Sequence, residues 1–329
     1  MSREEPVELI CRDGVRLGGH FWPADGGSPQ GAVVINAATG VLARYYHRYA
    51  RFLSGHGFSV LTYDYRGIGA SRPETLRGCS YRWADWGMLD FDAALRFMDR
   101  QVKDTPRLVV GHSIGGFLPG LAASAPAISR ILTVGAQYAY WRDYEARQRW
   151  RLFLKWHVTM PLLTALCGYF PGRRLGWLED LPAGVANEWS FRRSRMELSL
   201  PPQEREVVLK RLASVTAPIL AVIVGDDEFG TPAAVRRGLS YYRHAPVTEA
   251  LLTPERLGLP RIGHFDLFHS RHERGFWADS LQWLGHGANP WPEMEGSAPS
   301  GKLEAPARQP TSPEERIHAS ACQPSGSLL

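Results

Sequence analysis

Short apolar runs recur along this chain, and most are followed by a stretch with helical spacing. Residues 31–36, 58–63, 107–111, 128–135 and 218–224 are short, mostly apolar segments too short for buried helices, the pattern of strands covered on both faces. Between and after them, residues 45–54, 83–102, 114–123, 232–242 and 271–284 carry helical spacing, the first closed by Gly55 and Gly57, and 248–252 forms a further strand. The amino end behaves differently. Residues 7–22 alternate around Asp13-Gly14 and predict an antiparallel hairpin at a sheet edge. Strand and helix in alternation call for an α/β fold, a mostly parallel twisted sheet with helices on both faces.

The alternation stops after the sixth strand. Residues 137–204 are rich in aromatics and arginine and are broken by Pro161, Pro171, Pro182 and Pro201-Pro202, which predicts a strand-free helical cap inserted into the sheet domain. The expected organisation is a core in two parts, 1–136 and 205–285, the cap at 137–204, and a Pro-, Ser-, Gly- and Ala-rich disordered tail at 286–329. No internal repeat is visible.

Charge and cysteine content narrow the setting. The chain has 34 arginines and 4 lysines against 33 acids, a net charge of +5, but the arginines are interleaved with acids and form no basic run. A solvated surface follows, with no nucleic-acid partner. The four cysteines are far apart, as in a cytoplasmic protein with reduced thiols, and the polar start Met1-Ser2-Arg3-Glu4-Glu5 leads into no signal-type apolar run. The apolar segment 156–170 contains His157 and Pro161 and is too short to span a bilayer, so a buried or interface-touching cap helix is expected and no stable membrane insertion.

The candidate chemistry lies at Gly111-His112-Ser113-Ile114-Gly115-Gly116, a Gly-x-Ser-x-Gly frame where a strand meets a helix. Such a turn lifts the serine hydroxyl above the sheet, and small neighbours let strand and helix approach. A serine needs a base, and the base an orienting carboxylate. Both are expected on loops at the carboxyl ends of later strands, in the order serine, acid, histidine. Gly225-Asp226-Asp227-Glu228 follows one strand, and Gly263-His264-Phe265 follows the next. Ser113 and His264 are the candidate nucleophile and base. Asp227 is the favoured acid, with Asp226 and Glu228 left open. The oxyanion donors expected are the backbone N–H groups of Ile114 and of Ala38, on the loop Asn36-Ala37-Ala38-Thr39-Gly40. His269 and His272 are assigned to the surface and His112 to packing. The set His264, Asp266, His269 and His272 is not read as a metal site, and no cofactor is expected.

Ser113, the acids at 226–228 and His264, in that order on an alternating sheet, resemble the α/β-hydrolase superfamily. The runs 34–40, 63–71, 111–116, 168–171, 181–185 and 263–265 are similar to a bacterial group of largely uncharacterised α/β hydrolases related to the serine aminopeptidase-like hydrolases. The similarity extends over about residues 5–285 and departs from the superfamily at Asn36-Ala37, where a His-Gly pair is common. The resemblance implies a serine hydrolase acting on a small-molecule ester or related acyl compound through an acyl-enzyme. An acyltransferase using the same residues, or a non-catalytic binding protein, are the alternatives. The turn Asp64-Tyr65-Arg66-Gly67 is read as structural, pinned by Asp64 and Arg66.

Overall fold

A computed structural model describes residues 4–294. Eight strands form one sheet in the order β1-β2-β4-β3-β5-β6-β9-β10. The hairpin strands β1 (Glu5–Ile10) and β2 (Arg16–Trp22) are antiparallel, with Gly14 of the turn at φ 82°. From β3 (Gly31–Asn36) and β4 (Phe58–Tyr63) through β5 (Arg107–His112), β6 (Arg130–Val134), β9 (Ile219–Val224) and β10 (Val247–Leu252), every pairing is parallel. All six residues of β3, β4 and β9 are buried, as strands sandwiched between helical layers require. β3 and β5 are neighbours, but the chain leaves β3 for β4 and returns to β5 on the other side. That reversal opens a crevice at their carboxyl ends.

Helices depart from expectation where the sequence interrupts them. The helix expected over 114–123 is a single turn, Ile114–Phe117, followed by a tighter turn, Leu118–Leu121, because Pro119 and Gly120 break the regular ladder. The last helix is kinked at Gly275 before it runs on as Ala278–His286. The segment expected to be free of strands carries a small antiparallel ladder, β7 (Tyr169–Phe170) with β8 (Leu181–Pro182). Its main feature is a helical rod over 149–167, whose middle, Leu154–Thr159, is wound in a wider turn. The start of the expected disordered tail is packed instead. Trp291 stacks on Phe276 with planes 3° apart and donates its indole N–H to Asp279 at 3.1 Å. The tail beyond residue 294 lies outside the described residues.

Candidate active site

The elbow begins with close packing. A Cβ on Gly111 would lie 2.3 Å from the Gly116 Cα, and one on Gly115 would lie 2.3 Å from the Asn36 carbonyl oxygen. Only glycine lets β5, the following turn and the end of β3 meet this closely. Ser113 sits at the bend with φ 56° and ψ −127°, a conformation side chains rarely adopt, held by its N–H to the Val134 carbonyl at 2.9 Å. Asn36 bridges this junction. Its Nδ2 donates to the Gly115 carbonyl at 3.1 Å and its Oδ1 accepts from the Tyr63 hydroxyl at 2.9 Å.

Each of the three acids after β9 has a different partner. Asp227 Oδ2 lies 2.6 Å from His264 Nδ1, and its Oδ1 accepts the N–H groups of Phe229 and Gly230 at 2.8 Å each. Burial alone would raise this carboxyl, but the facing imidazole and the two N–H donors hold it below the ordinary carboxylate range. Asp226 instead accepts the N–H groups of Ile262 and Gly263 at 3.0 and 2.8 Å, fastening the loop that carries His264. Glu228 pairs with Arg151 at 3.3 Å. Only Asp227 of the three meets the imidazole.

Ser113 and His264 line one cleft of about 600 Å³, open mouth included, with walls formed by Trp83, Trp156, Trp177, Trp189 and Phe229. Trp156 and Trp189 stack with centroids 4.5 Å apart. The Lys155 ammonium stands over the rings of Trp156 and Trp177. Two features here carry no motif in the sequence. Gln137, buried just after β6, donates from Nε2 to Ser113 Oγ at 3.4 Å, while its Oε1 accepts the N–H of Ala139, a residue in the left-handed region at φ 61°. That second bond fixes which end of the amide faces the serine.

The other is a buried chain of hydrogen bonds that corrects two expectations. The His264 carbonyl can only accept, so His112 Nε2, 2.8 Å away, carries the proton. His112 Nδ1 then accepts from the Tyr46 hydroxyl at 2.7 Å, and the Tyr46 oxygen accepts the Ala38 N–H at 3.0 Å. His112 therefore does more than pack: it ties the His264 loop to the loop after β3. Burial pushes its pKa down to about 3, which keeps it neutral. Ala38 lines the cleft, but its amide donates to Tyr46 rather than standing free as expected of an oxyanion donor. The reason is that Tyr46, eight residues on, turns its hydroxyl under the loop. Ile114 opens its helical turn, where an N–H has no acceptor within the helix.

The competing histidines are engaged elsewhere. His272 Nε2 bonds Asp266 at 2.7 Å and His269 packs edge-on against Tyr45. In the Asp64 turn, Asp64 accepts the N–H groups of Ala43 and Ala70, and Arg66 pairs with Asp90 and Asp13 at 2.6 Å each.

Residues 27–172 match the family described as serine aminopeptidase, S33. A monoglyceride lipase of Saccharomyces cerevisiae is 27% identical over 106 residues, which are 32% of this chain and 34% of the lipase. The matched segment thus spans about a third of that relative. Among solved structures, an esterase of Pyrococcus furiosus superposes with a TM-score of 0.56 at 19% identity, covering 86% of this chain and 90% of that one. The α/β hydrolase GrgF of a Penicillium species gives 0.56 at 18% identity, covering 86% and 98%. The fold is that of the α/β hydrolases.

Proposed function

We propose that this chain is a serine hydrolase that cleaves a carboxylic ester or related acyl bond. The observation that carries the reading is the 2.6 Å Asp227–His264 pair, facing the same cleft as a serine held in a strained strand-to-helix turn. Ser113 Oγ attacks the substrate carbonyl and its proton passes to His264 Nε2. Asp227 steadies the resulting imidazolium through Nδ1–H. The Ile114 N–H donates to the oxyanion, His264 returns the proton to the departing alcohol, and the acyl group stays on Ser113. A water deprotonated by His264 then releases the acid.

Substrate class follows from the walls. Five aromatic rings suit an apolar acyl group, in keeping with the lipase and esterase names of the relatives. The enclosing segment 137–204 acts as the cap that shapes this cleft. The test is hydrolysis of a p-nitrophenyl ester series of increasing acyl length. The expected result is turnover that depends on chain length and is lost in Ser113→Ala. Equal turnover by Ser113→Ala would overturn the reading.

A further inference from the structure

The rod at 149–167 buries one face and leaves another without a partner. Leu152, Trp156, His157, Met160 and Thr164 are buried, and His157 Nδ1 and the Trp156 carbonyl are bonded to Ser190, so the rod is fastened to the body. On the outside, Trp150, Leu154, Val158, Leu162 and Leu166 are between 37% and 81% exposed. They are five of the eleven exposed large apolar side chains among the described residues, gathered on one rod. Scattered surface leucines need no explanation, but an aligned row does.

The row is partly straightened by the winding of the rod. Its members are four residues apart, and each four-residue step of a regular α-helix overshoots a full turn by about 40°. Such a row would spiral away over five members. In the wider i→i+5 turn at Leu154–Thr159, which is also right-handed, a four-residue step falls short of a full turn, so the drift is partly offset there. Residues 149–167 contain no acid. Arg147, Arg149 and Arg151 gather at or near the amino end, Arg151 beside Glu228, and Arg173, paired with Glu179, and Arg174 follow the carboxyl end, while Lys155 turns to the cleft. The rod is thus an apolar strip with cations near both ends, and the tryptophan of the row, Trp150, stands near its amino end.

We propose that this face docks peripherally on an anionic lipid surface, the apolar row entering the headgroup boundary while the arginines meet lipid phosphates. Docking is on the surface, not across it: no helix among the described residues is long and apolar enough to cross a membrane. Charge disfavours a second copy of this chain as the occupant. Laid parallel or antiparallel, two such rods would bring cation-bearing ends together. A consequence that rests on the proposed hydrolase reading is that docking brings the cleft to the source of its substrate, because Lys155 and Trp156 of the same rod line that cleft.

The test is flotation of the full chain with vesicles of phosphatidylcholine alone or with one-third phosphatidylglycerol, at low and high salt. The expected result is binding to the phosphatidylglycerol vesicles that weakens with salt. In Leu162→Glu/Leu166→Glu, binding falls at least tenfold, while circular dichroism and hydrolysis of a water-soluble short ester stay unchanged. Ser113→Ala binds as the unaltered chain does, which separates failure of docking from failure of the hydrolase reading. Absence of vesicle binding at low salt, binding undiminished in the double variant, or a solution dimer that the double variant dissociates would each overturn the proposal.

Discussion

The carboxyl ends of the strands and the rod at 149–167 lie on either side of the same cleft and are built in opposite ways. At the strand ends, polar groups are matched one to one: Asp226 to two loop amides, Asp227 to His264 and two more, and Tyr46 and His112 in a relay between loops. Across the cleft the contacts are mostly aromatic faces, such as Trp156 on Trp189, and the outer surface is an unpaired apolar row. Directional bonds fix a geometry and fail sharply when one is removed. Ring packing fills space and tolerates change. Chemistry should therefore be intolerant of substitution on the sheet side, and substrate preference adjustable on the other.

The largest expected effect separates the neighbouring acids. Asp227→Asn should lower kcat by about 10⁴-fold, because the amide no longer supports the imidazolium or its tautomer. Asp226→Asn should cost much less turnover and lower the melting temperature, since its carboxylate holds loop amides. Steady-state kinetics beside thermal unfolding checks the split.

Next comes the relay. Tyr46→Phe removes the group that accepts from Ala38 and donates to His112, leaving two buried polar groups unpaired, at a cost of about 1–3 kcal/mol in stability for each. Denaturant unfolding reads this directly. The same variant frees the Ala38 N–H, so activity per folded molecule should fall less than stability does.

His112 also ties stability to pH. Its folded-state pKa is depressed to about 3 by burial, below an ordinary value near 6.5, so between these values the unfolded chain binds a proton the folded chain refuses. Its contribution is intact above pH 6.5 and declines on acidification by about 1.4 kcal/mol per pH unit. Unfolding curves from pH 7 to pH 4.5 should show this slope, and His112→Gln should flatten it.

The smallest effect belongs to the aromatic wall. Trp177→Ala widens the cleft and should move the preferred acyl length upward, with less than about tenfold change in kcat on the shortest ester. A chain-length series measures it.

The sheet was legible because its central strands are buried on both faces and so carry unbroken apolar runs, such as 32–35 and 219–224. The elbow was legible because its glycines answer a steric demand within six residues. Turn geometry favours Asp227 but leaves Asp226 open, since adjacent side chains on a turn diverge and only the far loop decides which meets His264. The donor role assigned to Ala38 failed because a hydroxyl eight positions later claims the amide. Gln137 had no signal, as nothing local marks a glutamine that folds back to bond its own loop. The apolar length of the rod was evident, but which side faces solvent depended on a wide turn that spacing does not reveal.

The central claim is that Asp227, His264 and Ser113 act as one unit. The rate of fluorophosphonate labelling, followed by intact mass and peptide mapping, tests it most directly. The account predicts a single adduct on Ser113, formed orders of magnitude more slowly in Asp227→Asn and near the normal rate in Asp226→Asn. A folded chain that takes no label at Ser113, or one slowed by Asp226→Asn and indifferent to Asp227→Asn, would contradict it.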